Sequence, residues 1–308
     1  MIAAFLGPCC NGVVQTKLSK GRSPKTGPEL QAMTIRVRPM ERTLVMGVLN
    51  VTPDSFSDGG RYLDTRTAVR RALEMEAEGA DIIDVGGEST RPGSERISAT
   101  AELERVLQVV AGLRGRLKIP ISIDTQKAAV AAAAIAAGAE MVNDVSALRG
   151  DPKMGEVVRR ARVSVVLMHM RGRTKTMQKR PFARDVMRDV TKGLREALER
   201  ARRAGIPKRR VILDPGIGFG KSTEQNCELL ARLPELARLG YPLLVGTSRK
   251  AFIGKLLGGV PEDQRIWGTA ATVAAAVLGG ASIVRVHDVK EMVQVVSMAE
   301  EIRKAARR

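Results

Sequence analysis

The chain has 308 residues, 44% hydrophobic and 27% charged, a globular composition long enough for one large core. Its three cysteines (Cys9, Cys10, Cys227) lack metal-ligand spacing, and no uncharged run is long enough to span a bilayer, so the expected home is a reducing cytoplasm with no membrane partner. The net charge of +18 raises nucleic acid as a partner, but aromatics are only 3% and the Lys and Arg residues form no arm or motif, so no nucleic-acid role is expected. A positive field instead suits anionic small substrates.

Residues 1–40 include "SKGRSPKTGPE", which has turn and linker chemistry, and are read as a disordered leader. From Thr43 onward the chain alternates. The strand candidates are "LVMGVLN", "ADIIDVG", "PISIDT", "EMVNDV", "VSVVLMH", "RVILDPG", "PLLVGT" and "ASIVRVH". Between them lie helical segments such as "TRTAVRRALEMEAEG", "TAELERVLQVVAGLRGRL", "QKAAVAAAAIAAG" and "TEQNCELLARLPELARLG", and "KEMVQVVSMAEEIRK" closes the series. Glycines at "AEGAD", "AAGAE" and "RLGYP" stop helices. Eight βα units predict a (β/α)8 TIM barrel. An open doubly wound sheet is the alternative; the count, and the absence of a glycine fingerprint after the first strand, favour the barrel.

Barrel chemistry sits at the C-terminal ends of strands. Here those ends carry Asn50, Asp84, Asp124, Asn143 with Asp144, His169, Asp214, Lys250, and Arg285 with His287. A barrel serving only as scaffold has no need of a polar group at every exit. "DPGIGFGKST" is neither a Walker A loop, since Pro215 stands where the first glycine belongs, nor a dinucleotide fingerprint, since Lys221 replaces the third glycine. Its glycines let backbone approach a flat ligand, or simply make a tight turn.

Arg285 and His287 are two apart on a strand and share a face, which suits phosphate or another oxyanion, although a structural ion pair would use the same pattern. Asp124, Asn143, Asp214 and Lys250 supply acceptors, an amide and a donor cation for a flat heterocycle; buried structural caps are the bland alternative. His169, flanked by apolar residues, is expected to be a satisfied core histidine. No serine has a nucleophile elbow and no zinc ligand set exists.

In order and spacing, "MGVLNVTPDSFSDGG", "IIDVGGESTRPGS", "ISIDTQK", "VNDVSALRGDPKM", "LDPGIGFGKSTEQN", "GTSRKAFIG" and "IVRVHDV" resemble the dihydropteroate synthase family over about residues 43–305. The resemblance implies a pterin-binding (β/α)8 barrel over 41–308. It also implies condensation of 7,8-dihydropterin pyrophosphate with p-aminobenzoate, in folate biosynthesis. The implied route is a dissociative substitution at the pterin methylene, with Mg²⁺ as cofactor, in a homodimer.

Carried over position by position, Asp124, Asn143, Asp214 and Lys250 are the expected pterin readers. Arg285 and His287 are the pyrophosphate anchor, with Asn50 helping through Mg²⁺. Phe56 and Asp58 lie in the first loop, where Asp58 faces the developing cation, and Thr90, Arg91 and Pro92 lie in the second. Phe219, Ser248 and Lys250 resemble walls of the p-aminobenzoate site. The loop "MRGRTKTMQKRPF" departs from the family, having Arg173-Thr174 where Thr-Pro is usual, and the leader has no family counterpart. Rivals are a methyltetrahydrofolate methyltransferase on a related barrel, which needs no pyrophosphate anchor, and a non-catalytic pterin-binding paralogue, which would be expected to lose loop or anchor residues.

Overall fold

The structure, a computed structural model, describes residues 42–52, 61–89, 94–172, 177 and 184–306. The expected leader, and Phe56, Asp58, Thr90, Arg91 and Pro92, lie outside the described residues.

Eight strands are found where eight apolar runs predict them: β1 (Leu44–Asn50), β2 (Ile82–Gly86), β3 (Ile121–Asp124), β4 (Met141–Asp144), β5 (Ser164–Met168), β6 (Val211–Asp214), β7 (Leu244–Val245) and β8 (Ile283–Val286). All pair in parallel, in the order β6-β5-β4-β3-β2-β1-β8-β7. The ends of that order meet: Leu213 bridges Leu243, and the Leu213 N–H donates to the Pro242 carbonyl at 2.9 Å. Closure is this thin because Pro242 has no N–H to add to a ladder.

The helices between the strands are α1 (Arg61–Ala77), α2 (Ala99–Leu113), α3 (Ala128–Ala137), α4 (Met154–Ala161), α5 (Val186–Arg203), α6 (Thr223–Ala231), α7 (Leu233–Ala237), α8 (Ala251–Leu256), α9 (Ile266–Leu278) and α10 (Val289–Ala305). Gly79, Gly138 and Gly240, expected as helix stops, all have positive φ. The single helix expected over 223–240 breaks at Arg232. Pro234 follows, and it can neither donate back to Leu230 nor avoid crowding its carbonyl.

Strand residues alternate between two environments. Val45, Ile83, Val142, Leu167 and Val284 point out into the layer beneath the helices. Met46, Ile82, Met141, Val166, Ile212, Leu244 and Ile283 point in and plug the barrel. Burying each such side chain contributes roughly 1.5–3 kcal/mol. On four of those strands the next inward position, two residues on, is polar: Asp84, Asn143, Asp214 and Arg285; on the other three it is Val48, Met168 and Gly246. The change from an apolar plug to a polar layer occurs within one strand repeat, and it makes the floor of the barrel mouth.

Candidate active site

Asp84, wholly buried on β2, is the centre of the floor. The Arg285 Nε donates to Asp84 Oδ2 at 2.6 Å, and Arg285 Nη2 donates to Asp124 Oδ2 at 3.0 Å. The Asn143 amide also donates to Asp84 Oδ2, at 2.9 Å. One guanidinium thus serves two buried carboxylates. Burial disfavours the charge of Arg285, but Asp84 and Asp124 outweigh that and hold it protonated. For Asp124 burial prevails over the attraction of Arg285, and with Asp84 adding repulsion its pKa is pushed up to about 8.

A protonated Asp124 is a donor. Beside it, Asp84 Oδ1 and Asn143 Oδ1 are buried acceptors with no hydrogen-bond partner among the described residues. An unpaired buried polar atom costs about 1–3 kcal/mol, so donors on a bound molecule would be strongly favoured here. Asp144, adjacent in sequence, points to the other face. Its Oδ1 accepts from the Ser146 N–H at 2.8 Å and its Oδ2 from the Leu148 N–H at 2.7 Å, which makes it the cap of a turn.

One wall comes from the loop after β6. Asp214 Oδ1 accepts from the Gly216 N–H at 2.6 Å, and burial raises the Asp214 pKa against the pull of Lys250. Lys250 donates to the Ile217 carbonyl and stands 4.8 Å above the Phe219 ring, a cation–π contact. Burial lowers its pKa to about 8, although Asp214 opposes the shift.

Behind this wall is Lys221, also buried. Its Nζ donates to the carbonyls of Gly216 at 2.8 Å and Phe219 at 3.0 Å, and lies 3.1 Å from His169 Nδ1. Burial, then Lys221, lower the His169 pKa to about 2, so its ring is neutral. With Nδ1 facing the Lys221 Nζ, a donor, the bonding assigns the ring proton to Nε2, which faces Asp189 at 3.6 Å. His169 is a satisfied core residue, as its apolar neighbours suggest.

The rim is built by the exits of β7 and β8. The Ser248 hydroxyl accepts the His287 N–H at 3.1 Å and lies 3.0 Å from His287 Nδ1. Ser248 therefore meets the imidazole directly. Across the mouth, Gly86 separates Asn50 from Asp124: a Cβ there would stand 3.9 Å from Asn50 Oδ1 and 3.5 Å from the Asp124 Cβ. Of the expected residues, Asn50, Asp124, Asn143, Asp214, Phe219, Ser248, Lys250, Arg285 and His287 all belong to strand exits or the loops leaving them. Sequence reasoning noted Asp84 only as an exit, and missed its place at the centre. Lys221, a buried post behind the wall, left no local pattern that showed this role. For Asp84 a signal existed, since it falls two residues after Ile82.

A closed parallel barrel with a buried polar floor at the C-terminal ends of its strands has the build of a (β/α)8 enzyme. Residues 46–287 match the family described as "Pterin binding enzyme", and the chain belongs to that family. It is 49% identical over 262 residues to the dihydropteroate synthase of Synechocystis, covering 85% of this chain and 91% of that protein. Among solved structures, the Clostridium difficile dihydropteroate synthase in the presence of pteroic acid has a TM-score of 0.80 and 46% identity, covering 86% of this chain and 98% of that one. The Xanthomonas albilineans dihydropteroate synthase with 4-aminobenzoic acid also has a TM-score of 0.80 and 46% identity, covering 85% and 93%.

Proposed function

We propose a division of labour in the barrel mouth for the activity this chain carries, that of a dihydropteroate synthase. This transferase joins 7,8-dihydropterin pyrophosphate to p-aminobenzoate and releases pyrophosphate. The pterin lies on the floor. Asp124, Asn143 and Asp214, with Lys250, present both donors and acceptors, which suits a ring edge that carries both. The single observation behind this reading is the buried Asp84–Arg285–Asp124–Asn143 set, with two acceptor atoms lacking partners among the described residues.

The pyrophosphate points to the rim, where His287 and the outer face of Arg285 hold its charge as the C–O bond breaks. The positive charge left at the pterin methylene is delocalised into the ring and faced by Asp58. The arylamine then attacks from a site walled by Phe219, Lys250 and Ser248, covered by Phe56 and flanked by Thr90, Arg91 and Pro92. These loop assignments rest on the family resemblance.

Mg²⁺ fits the donor set in a sparse mode. The described residues include no cluster of three His, Cys, Asp or Glu able to hold a metal, and Asn50 offers a neutral amide oxygen at the end of β1. Mg²⁺ characteristically takes one or two protein oxygens and completes its shell with substrate phosphates and water. Asn50 would hold it, and when bound it would neutralise charge on the leaving pyrophosphate. No helix of the described residues is long and apolar enough to cross a membrane. A cytoplasmic homodimer with small-molecule substrates completes the proposal.

His287→Ala tests the anchor more cleanly than a change at Arg285, because removing Arg285 strands two buried carboxylates. The expected result is at least ~10-fold weaker binding of the pterin pyrophosphate, with free pterin changed less than about two-fold, as suits loss of a charge-assisted hydrogen bond. Equal losses for the two ligands would overturn the assignment.

A further inference from the structure

Arg249 stands between Ser248 and Lys250 and has φ of +59°, a left-handed conformation in a residue with a full side chain. Such a residue is strained and persists only where its surroundings over-determine it. Four contacts do so here. The Arg249 N–H donates to Thr269 Oγ1 at 3.1 Å, and its carbonyl accepts from Arg265 Nη1 at 2.8 Å. Its guanidinium grips both oxygens of Asp288, with Nε to Oδ2 at 3.0 Å and Nη2 to Oδ1. This is the bidentate fork that gives geometric specificity as well as attraction.

The location gives these contacts their purpose. Sheet pairing between β7 and β8 consists of Leu244 with Ile283 and Val245 with Val284, and then stops. Ser248 lies three residues beyond the last pair, and Lys250 five beyond. No ladder fixes them against Arg285 and His287. Two cross-links replace it: the Ser248 hydroxyl on His287, and Arg249 on Asp288, the residue after His287. The left-handed turn at Arg249 sends the chain from β7 into α8 with Ser248 on the rim and Lys250 over Phe219.

We infer that Arg249 and Asp288 are positioning residues: a strained clamp that sets the β7 exit against the β8 exit, and so sets Ser248 and Lys250 against His287. The inference rests on the proposed role of His287 as pyrophosphate anchor, and its test is arranged to separate the two.

Arg249→Gly keeps the left-handed turn without strain but removes the clamp. Its melting temperature is expected to stay within a few degrees of the parent. Its kcat/KM for the pterin pyrophosphate is expected to fall roughly 10- to 100-fold, the range seen when a supporting contact behind a functional residue is lost. Activity within about two-fold of the parent, or a loss matched by unfolding, overturns the clamp. Asp288→Asn supplies the second measurement.

The chain has only two histidines, so the ring proton signals of His287 and His169 are easily told apart by NMR. Asp288→Asn should move the His287 signal and leave that of His169 in place. In a His287→Ala background, its effect on kcat/KM should shrink to less than about two-fold. An unmoved His287 signal overturns the clamp. If His287→Ala itself leaves substrate affinity unchanged, the anchor reading fails instead, and the His287 ring signal still decides the clamp.

Discussion

Lys250 is required as a donor in the proposed pterin set, yet burial works against its charge. Its pKa falls to about 8, with Asp214 opposing the shift and Arg285 reinforcing it. Below about pH 8 the ammonium is present and donates; as pH rises through that value the proton is lost and the donor with it. The free enzyme's kcat/KM is therefore expected to decline on an alkaline limb with an apparent pKa near 8. Lys250→Arg should remove that limb, because a guanidinium keeps its proton across the accessible range, while lowering the plateau because a planar fork replaces a point charge. A pH–rate series on both proteins is the measurement; an unchanged limb in the variant would assign it to another group, Asp124 being the first candidate.

At the scale of single residues, the sequence reports which side chains stand at strand exits, but not how they pair. Asp84 and Arg285 are 201 positions apart and meet only because β1 lies between β2 and β8 in the closed sheet. That neighbourhood turns two carboxylates and a cation into a single buried floor, where burial and then the neighbouring Asp84 favour a proton on Asp124 against the pull of Arg285.

Among the elements, the eight strands were legible because parallel strands buried on both faces read as continuous apolar runs. β7 is short and β6 closes on it through an isolated bridge; neither leaves a pattern in local sequence, since closure is decided by partners far along the chain. The loop after β6 carries a different lesson. Its glycines suggest close approach to a ligand, but each one approaches the protein itself. An added Cβ would stand 1.9 Å from the His169 carbonyl oxygen at Gly216, 3.0 Å from Lys250 Cδ at Gly218, and 2.5 Å from the Arg171 carbonyl oxygen at Gly220. All three have positive φ. The turn is folded tightly over the His169–Lys221 post, and that compactness puts Asp214, Phe219 and Lys250 together.

Gly216→Ala should consequently cost far more than a left-handed alanine alone. The backbone term is about 1–2 kcal/mol, and the clash with a carbonyl oxygen that cannot rotate away adds to it. At about 2–4 °C per kcal/mol the backbone term alone lowers the melting temperature by roughly 2–8 °C, and the fall for Gly216→Ala is expected to exceed that clearly. Gly258 is the control. Its φ is +80° with nothing within 4 Å of an added Cβ, so Gly258→Ala should show the backbone term only. Equal shifts for the two variants would mean that the loop yields, and that His169 and Lys221 do not hold it rigid.

For the molecule as a whole, the outer surface is uneven. A helix in the outer layer of a barrel needs one apolar stripe toward the sheet and a polar face toward water. α9 does not follow this rule: "IWGTAATVAAAVL" holds no charged residue, and its Trp267 is 81% exposed. Met298 and Ile302 on α10 are 65% and 54% exposed, and Leu256, Leu257 and Leu278 are exposed nearby in sequence on α8 and α9 or just beyond. Elsewhere the surface is rich in Arg–Glu pairs along helices, such as Arg232 with Glu228 and Glu235, and a chain of net charge +18 repels its own copies.

The proposed homodimer needs a region where that repulsion is weak and apolar area can be removed from water, and the exposed apolar residues of α9 and α10 make these helices the place to test. Aromatic anchors such as Trp267 dominate interfaces of this kind, and losing one raises a dissociation constant by roughly 30-fold or more, the equivalent of about 2 kcal/mol. Trp267→Glu combined with Met298→Glu is therefore expected to convert a dimer into a monomer in sedimentation at micromolar concentration. Salt should rescue little of the association, because the loss is of apolar contact. A variant that keeps the parent's mass places the contact elsewhere on the barrel, and a parent that sediments as a monomer rules out the homodimer.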